Sequence, residues 1–172
     1  MNGLLLKNHN QYYSFFRETF NKISTLSTEY NWLISGIECY PVKAEYQKLF
    51  SSRYVWISGE RLLEILQDED IQWIWGVFSG FEKNVTLQQI LVSKVPFADG
   101  NKSFWQLPLK IEHPLATIEI VAWDSSCSLF ISSNDATIRE FSKLYPLAID
   151  LEQYNQKANK VLTKESGRTD IR

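Results

Sequence analysis

Histidine and cysteine, the residues that carry most general acid/base, nucleophilic and metal chemistry, are scarce in this chain. There are two of each in 172 residues. A structural zinc site needs four Cys or His ligands at close, characteristic spacings, and His9, Cys39, His113 and Cys127 are all far apart. Two such distant thiols read as small buried apolar side chains in a reducing compartment. Seven glycines and five prolines are too few for a disordered, collagen-like or linker-rich chain. Neither G-x-x-x-x-G-K-[ST] nor G-x-G-x-x-G occurs, so the common phosphate cradles are excluded. No apolar run approaches the roughly 20 residues of a membrane span. The run at residues 4–6 is shorter than the about 7–15 residues of a secretory signal core. The expectation is a cytoplasmic protein without a membrane role. A net charge of −2 lacks the basic footprint of a nucleic-acid binder.

Aromatic residues are what the chain has in plenty, at 14% with six tryptophans, and their spacing dictates most of the element assignment. Residues 8–27 carry Tyr12, Phe15, Phe16, Phe20 and Ile23 at three-to-four-residue spacing, an amphipathic helix. From Tyr30 the chain turns to aromatic and β-branched residues as far as Ile37, a strand closed by Pro41. A short helix over residues 44–50 leads to a strand over 53–57, and Ser58 is placed to cap a helix over 59–67. Residues 71–81, IQWIWGVFSGF, are so uniformly apolar that a central strand covered on both faces is expected. Leu87, Ile90 and Leu91 repeat at helical spacing before Pro96. Leu107, Leu109 and Ile111 alternate with polar residues as in a half-buried strand, one that Pro108 pushes to an edge. Residues 116–123 and 127–131 form a hairpin around Asp124-Ser125-Ser126, and Asn134-Asp135 opens a helix over 134–145.

Two segments echo each other, Tyr30-x-Trp32-x-Ile34-Ser35-Gly36 and Tyr54-x-Trp56-Ile57-Ser58-Gly59. The second is one residue shorter, which moves Ile57 to the face opposite Trp56, whereas Trp32 and Ile34 share a face. It is not a structural repeat.

Few residues offer chemistry. His113, Asp124 and Cys127 are the one set that can be arranged as a nucleophile, base and orienting acid, yet no local signature surrounds Cys127 and a turn aspartate serves turn geometry first. Asp68-Glu69-Asp70 lacks the alternating ligands and glycine turn of a calcium loop. No metal or cofactor is expected. Most tryptophans fall inside strand patterns, where core packing accounts for them; Trp105 follows a loop and either folds back over the sheet or stands out as an anchor.

The most pronounced feature is electrostatic. Between Gly59 and Asp70 stand Glu60, Glu64, Asp68, Glu69 and Asp70 against Arg61 alone, a charge of −4 in a chain whose total is −2. At about 100° per residue Glu60, Glu64 and Asp68 form one stripe, with Leu62, Leu63, Ile65 and Leu66 opposite. Like charges at i,i+4 each cost a helix about 0.2–0.5 kcal/mol. Such a stripe is either a solvated face or an acidic surface that steers a basic protein partner.

Residues 55–81, VWISGERLLEILQDEDIQWIWGVFSGF, and 118–155, IEIVAWDSSCSLFISSNDATIREFSKLYPLAIDLEQYN, resemble small uncharacterised single-domain proteins of Bacillus-type bacteria. The small, acidic, aromatic-rich composition also resembles toxin-immunity proteins. Neither resemblance assigns a residue a role. The expected architecture is one α+β domain over residues 1–155, a mainly antiparallel sheet of five or six strands with packed helices, followed by a polar tail over 156–172. The expected function is non-enzymatic protein binding, an immunity protein neutralising a basic toxin being one form of it. The alternatives are a small hydrolase or transferase near His113, Asp124 and Cys127, or a ligand-binding module with a tryptophan-lined pocket.

Overall fold

The computed structural model describes residues 2–7 and 15–166. The fold is α+β, and its sheet is wholly antiparallel. The strands are β1 (Asn2–Leu6), β2 (Tyr30–Tyr40), β3 (Tyr54–Ser58), β4 (Gln72–Glu82), β5 (Ile118–Trp123), β6 (Cys127–Ser132) and β7 (Ile149–Asp150). They lie in the order β3-β2-β4-β5-β6-β1-β7. The helices are α1 (Arg17–Lys22), α2 (Ser24–Glu29), α3 (Ala44–Phe50), α4 (Gly59–Asp68), α5 (Leu87–Ile90), α6 (Asp135–Leu144) and α7 (Leu151–Ser166).

Seven strands, rather than five or six, follow from three local differences. Leu4, Leu5 and Leu6 make β1, which pairs with β6 on one side and with the two-residue β7 on the other. The strand expected over 107–111 does not form. Leu109 and Ile111 instead lie across the sheet, packed on its apolar surface, so an in-and-out alternation arises without a ladder. The expected helix over 8–27 divides: residues 8–14 fall outside the described residues, and the rest breaks at Ile23 into α1 and α2, with α2 running on to Glu29. Ile23-Ser24-Thr25 is a run of poor helix formers, and the break lets Ile23 pack into the core. At the other end α7 is a 16-residue helix that crosses the expected boundary at residue 155.

Strand alternation divides the apolar residues between two faces. One face carries Leu4, Leu6, Trp32, Ile34, Phe78, Ile118, Ile120 and Phe130, covered by α1, α2, α4 and α6. On the opposite face Leu5, Leu33, Val77, Phe81, Val121 and Leu129 meet the long connection between β4 and β5 and Leu151 of α7. Full burial of a large apolar side chain contributes about 1.5–3 kcal/mol. The echo behaves as its missing residue requires: Trp32 pairs with Ile57, which packs with the first face, while Trp56 packs on Phe81 at 5.8 Å on the second.

β4 is interior, as its composition demands, yet its burial on both faces holds only from Gly76 to Phe81; Ile74 and Trp75 are half-buried. The reason lies in the ladder, because β5 pairs with β4 only over Gly76–Gly80.

Candidate functional site

Helix α4 is set in place by a close approach at its first residue. Gly59 lies so near the α2 backbone that a Cβ there would sit 1.9 Å from the Ser27 carbonyl oxygen. The same carbonyl accepts from the Trp32 indole N–H at 2.9 Å. Ser58 caps the helix, its hydroxyl accepting from the Arg61 N–H at 3.2 Å. Leu62, Ile65 and Leu66 are buried below; Glu60, Glu64 and Asp68 are exposed on the outer side.

Among the described residues, four of the five carboxylates have a partner. Glu60 meets the Lys83 ammonium at 3.3 Å, and Glu64 meets the Arg61 guanidinium at 2.9 Å. Asp68 accepts from the Tyr46 hydroxyl and pairs with Lys43, each at 2.5 Å. Glu69 has a different job: its two oxygens accept from the backbone N–H groups of Val42 and Lys43, at 2.5 and 3.0 Å, and so tie down the entry to α3. Asp70 is exposed beyond the helix end. Lys43 and Lys83 bring the formal charge of the patch from −4 to −2.

Protonation follows these contacts. Its own backbone N–H, the Ser58 hydroxyl and Lys83 hold the Glu60 carboxyl below the usual range. Lys43 and the Tyr46 hydroxyl do the same for Asp68, while Tyr46 is pushed up to about 12, chiefly by its bond to Asp68. Glu60 and Asp68 are therefore ionised at neutral pH. Their pairs are with side chains that are 44–45% exposed, where an ion pair contributes about 0–1 kcal/mol, so a partner's cations can displace them at small cost.

His113, Asp124 and Cys127 are not brought together. His113 is fully buried, with Nδ1 accepting from the Leu115 N–H at 3.2 Å. Nε2 must then carry the proton, which it donates to the Ile90 carbonyl at 3.0 Å. Both ring nitrogens are thus used in holding α5 to the loop. Cys127 pairs with Trp123, four positions along β5 from Glu119, which binds the His113 N–H. At about 3.3 Å per residue that is roughly 13 Å. Burial pushes the Cys127 thiol up, away from thiolate chemistry. Asp124 is exposed at φ 48°, a left-handed position in the hairpin turn. Among the described residues no group of three or more His, Cys, Asp or Glu side chains is placed to hold a metal ion.

Glu119 is the charged residue that reasoning from the sequence missed. It is fully buried on the second face, where Oε1 accepts from the Ser79 hydroxyl at 3.3 Å and the His113 N–H at 3.1 Å, and Oε2 from the Glu112 N–H at 2.9 Å. Burial pushes its carboxyl up to about 7, against the pull of those N–H groups. A signal was present: at strand spacing Glu119 shares its face with Val121 and Trp123, so a carboxylate there lies on an apolar surface. Nearby, Glu112 accepts from Asn101 at 3.0 Å and Ser103 at 2.7 Å, so the connection between β4 and β5 is held by carboxylates at two points.

Trp105 folds back over the sheet. It ends a 3₁₀ turn (Lys102–Trp105) and meets Trp123 edge-on at 5.0 Å, while Trp123 meets Trp75 at 5.1 Å.

Residues 1–94 match the family described as a protein of unknown function (DUF2691). No curated protein and no solved structure matches the chain.

Proposed function

The chain belongs to the DUF2691 family, and we propose that it is a non-enzymatic binding domain which docks a basic protein partner through the outer face of α4. The observation that carries this reading is the exposed stripe of Glu60, Glu64 and Asp68 on a helix whose other side is locked into the core. Rigid placement matters, since a charged surface steers association best when its geometry is preformed. Glu69 supports the surface by fixing the neighbouring α3 entry, and Asp70 extends it. A cytoplasmic immunity protein that covers a basic toxin domain is the form of this function that an acidic, preformed face fits. The commitment of His113 and Glu119 to backbone hydrogen bonds further favours binding over catalysis.

The test is a comparison of two baits in extract of the source cells, the native chain and a Glu60→Lys/Glu64→Lys variant. Both substitutions are exposed and leave the Asp68 contacts to Tyr46 and Lys43 intact. A basic protein retained by the first and lost from the second supports the proposal. Identical retention by both baits overturns it.

A further inference from the structure

On the face of the sheet opposite α4, the end of β1, the turn between β5 and β6, and the first turns of α7 border an open cleft of about 330 Å³. Lys7, Trp105, Trp123, Cys127, Tyr154 and Asn155 line it. Trp105 stands nearly perpendicular to Trp123, at 85° and 5.0 Å, and leans on Tyr154 at 5.9 Å. The Lys7 ammonium lies 5.5 Å from the centre of the Tyr154 ring.

Asn155 supplies the second observation. It is 1% exposed, and its amide nitrogen donates to the Phe104 carbonyl at 3.1 Å. Because a carbonyl can only accept, that bond fixes the orientation of the amide and leaves Oδ1 as the free end. No donor reaches Oδ1 among the described residues. A buried amide oxygen with no donor is costly to keep, and such groups in native structures call for an explanation. Here it belongs to a residue that lines a cleft.

We infer that this cleft is a binding site for a small aromatic acid that carries a hydroxyl or N–H donor on its ring. The ring packs against Trp105, Trp123 and Tyr154, the donor meets Asn155 Oδ1, and the carboxylate meets the Lys7 ammonium. The volume, near the lower end of the about 300–1,000 Å³ common for small-molecule sites, suits a single ring with a short acidic arm. Aromatic walls with a few convergent polar groups are what such sites are made of. This site is independent of the α4 face, and its test does not depend on that reading.

The probe is para-hydroxyphenylacetate, titrated into the full chain and followed by calorimetry and by NMR of the indole and side-chain amide N–H signals. A dissociation constant on the order of 0.1 mM is expected for a ligand of this size. The shifts should centre on Trp105, Trp123 and the Asn155 amide. Phenylacetate, which lacks the ring donor, should bind at least about fivefold more weakly, and so should para-hydroxyphenylethanol, which lacks the acid. Lys7→Gln should weaken the acid at least about fivefold and leave the neutral alcohol unchanged. Trp105→Ala, at a half-buried surface ring, should remove binding of all three. No shift at these residues up to about 10 mM probe overturns the inference. Equal affinity for the three ligands, or binding unaffected by Lys7→Gln and Trp105→Ala, overturns it as well.

Discussion

Glu119 makes stability depend on pH in a direction opposite to that of most carboxylates. In the folded chain it keeps its proton up to about pH 7, whereas the ordinary value for the free side chain is 4.5. Below pH 4.5 both states are protonated and the contribution is fully present. Between the two values the folded state alone holds the proton, so stability falls as pH rises, and the loss is complete above about 7. The gap between 4.5 and about 7 amounts to about 3.5 kcal/mol at roughly 1.4 kcal/mol per pH unit. Glu60 and Asp68 act the other way, but their carboxyls lie below the usual range, so their stabilisation is lost only in more acid solution. The control is Glu119→Gln, close in shape and without a charge. Its amide nitrogen cannot accept, so one of the three donors around the site is orphaned at about 1–3 kcal/mol. The assay is urea unfolding of both proteins at about pH 5 and about pH 8. The penalty of the substitution should shrink by about 2.5 kcal/mol between these conditions, vanishing or reversing sign at the higher pH. A penalty that is the same at both would refute the reasoning, showing that the three donors keep Glu119 ionised throughout.

Three further outcomes follow from packing. Gly59→Ala places a methyl group against the Ser27 backbone, which cannot rotate away, and should cost at least about 3 kcal/mol in urea unfolding; a cost under about 1 kcal/mol would mean that α2 and α4 are not held as described. Cys127→Ala should cost about 1 kcal/mol, and the native thiol should react slowly with a thiolate-selective reagent at neutral pH; fast labelling would contradict its raised protonation range. Amide exchange should be slowest at Val77–Gly80, where β4 is paired on both sides, and faster at Trp73 and Trp75; the reverse order would displace the centre of the sheet.

Elements with a strong period and a clear stop were legible in the sequence. α4 and α6 carry side-chain caps, at Ser58 and Asn134, ahead of apolar stripes, and both form where that pattern puts them. The Asp124-Ser125 hairpin also forms, with both residues at positive φ. What stayed hidden depended on partners distant in the chain. Three leucines at residues 4–6 carry no period of their own, and become a strand because β6 and β7 flank them. Leu109 and Ile111 show strand alternation because they lie on a sheet rather than in one. At the α4 face the acids themselves were legible, but Lys43, Tyr46 and Lys83, which partner them, come from other elements brought near by the fold. Glu119 was obscured for a related reason: an acid amid β-branched residues reads as an outward-facing position until the connection between β4 and β5 is seen to close over it.

Association kinetics of the captured partner test the α4 face most directly. Stopped-flow rates should be measured for the native chain and the Glu60→Lys/Glu64→Lys variant over a range of ionic strength. At low salt the reversal should slow association at least about tenfold, and the gap should close as the Debye length shortens toward about 8 Å near physiological salt. Equal rates for the two proteins at every salt concentration would contradict the account and place the partner on another surface.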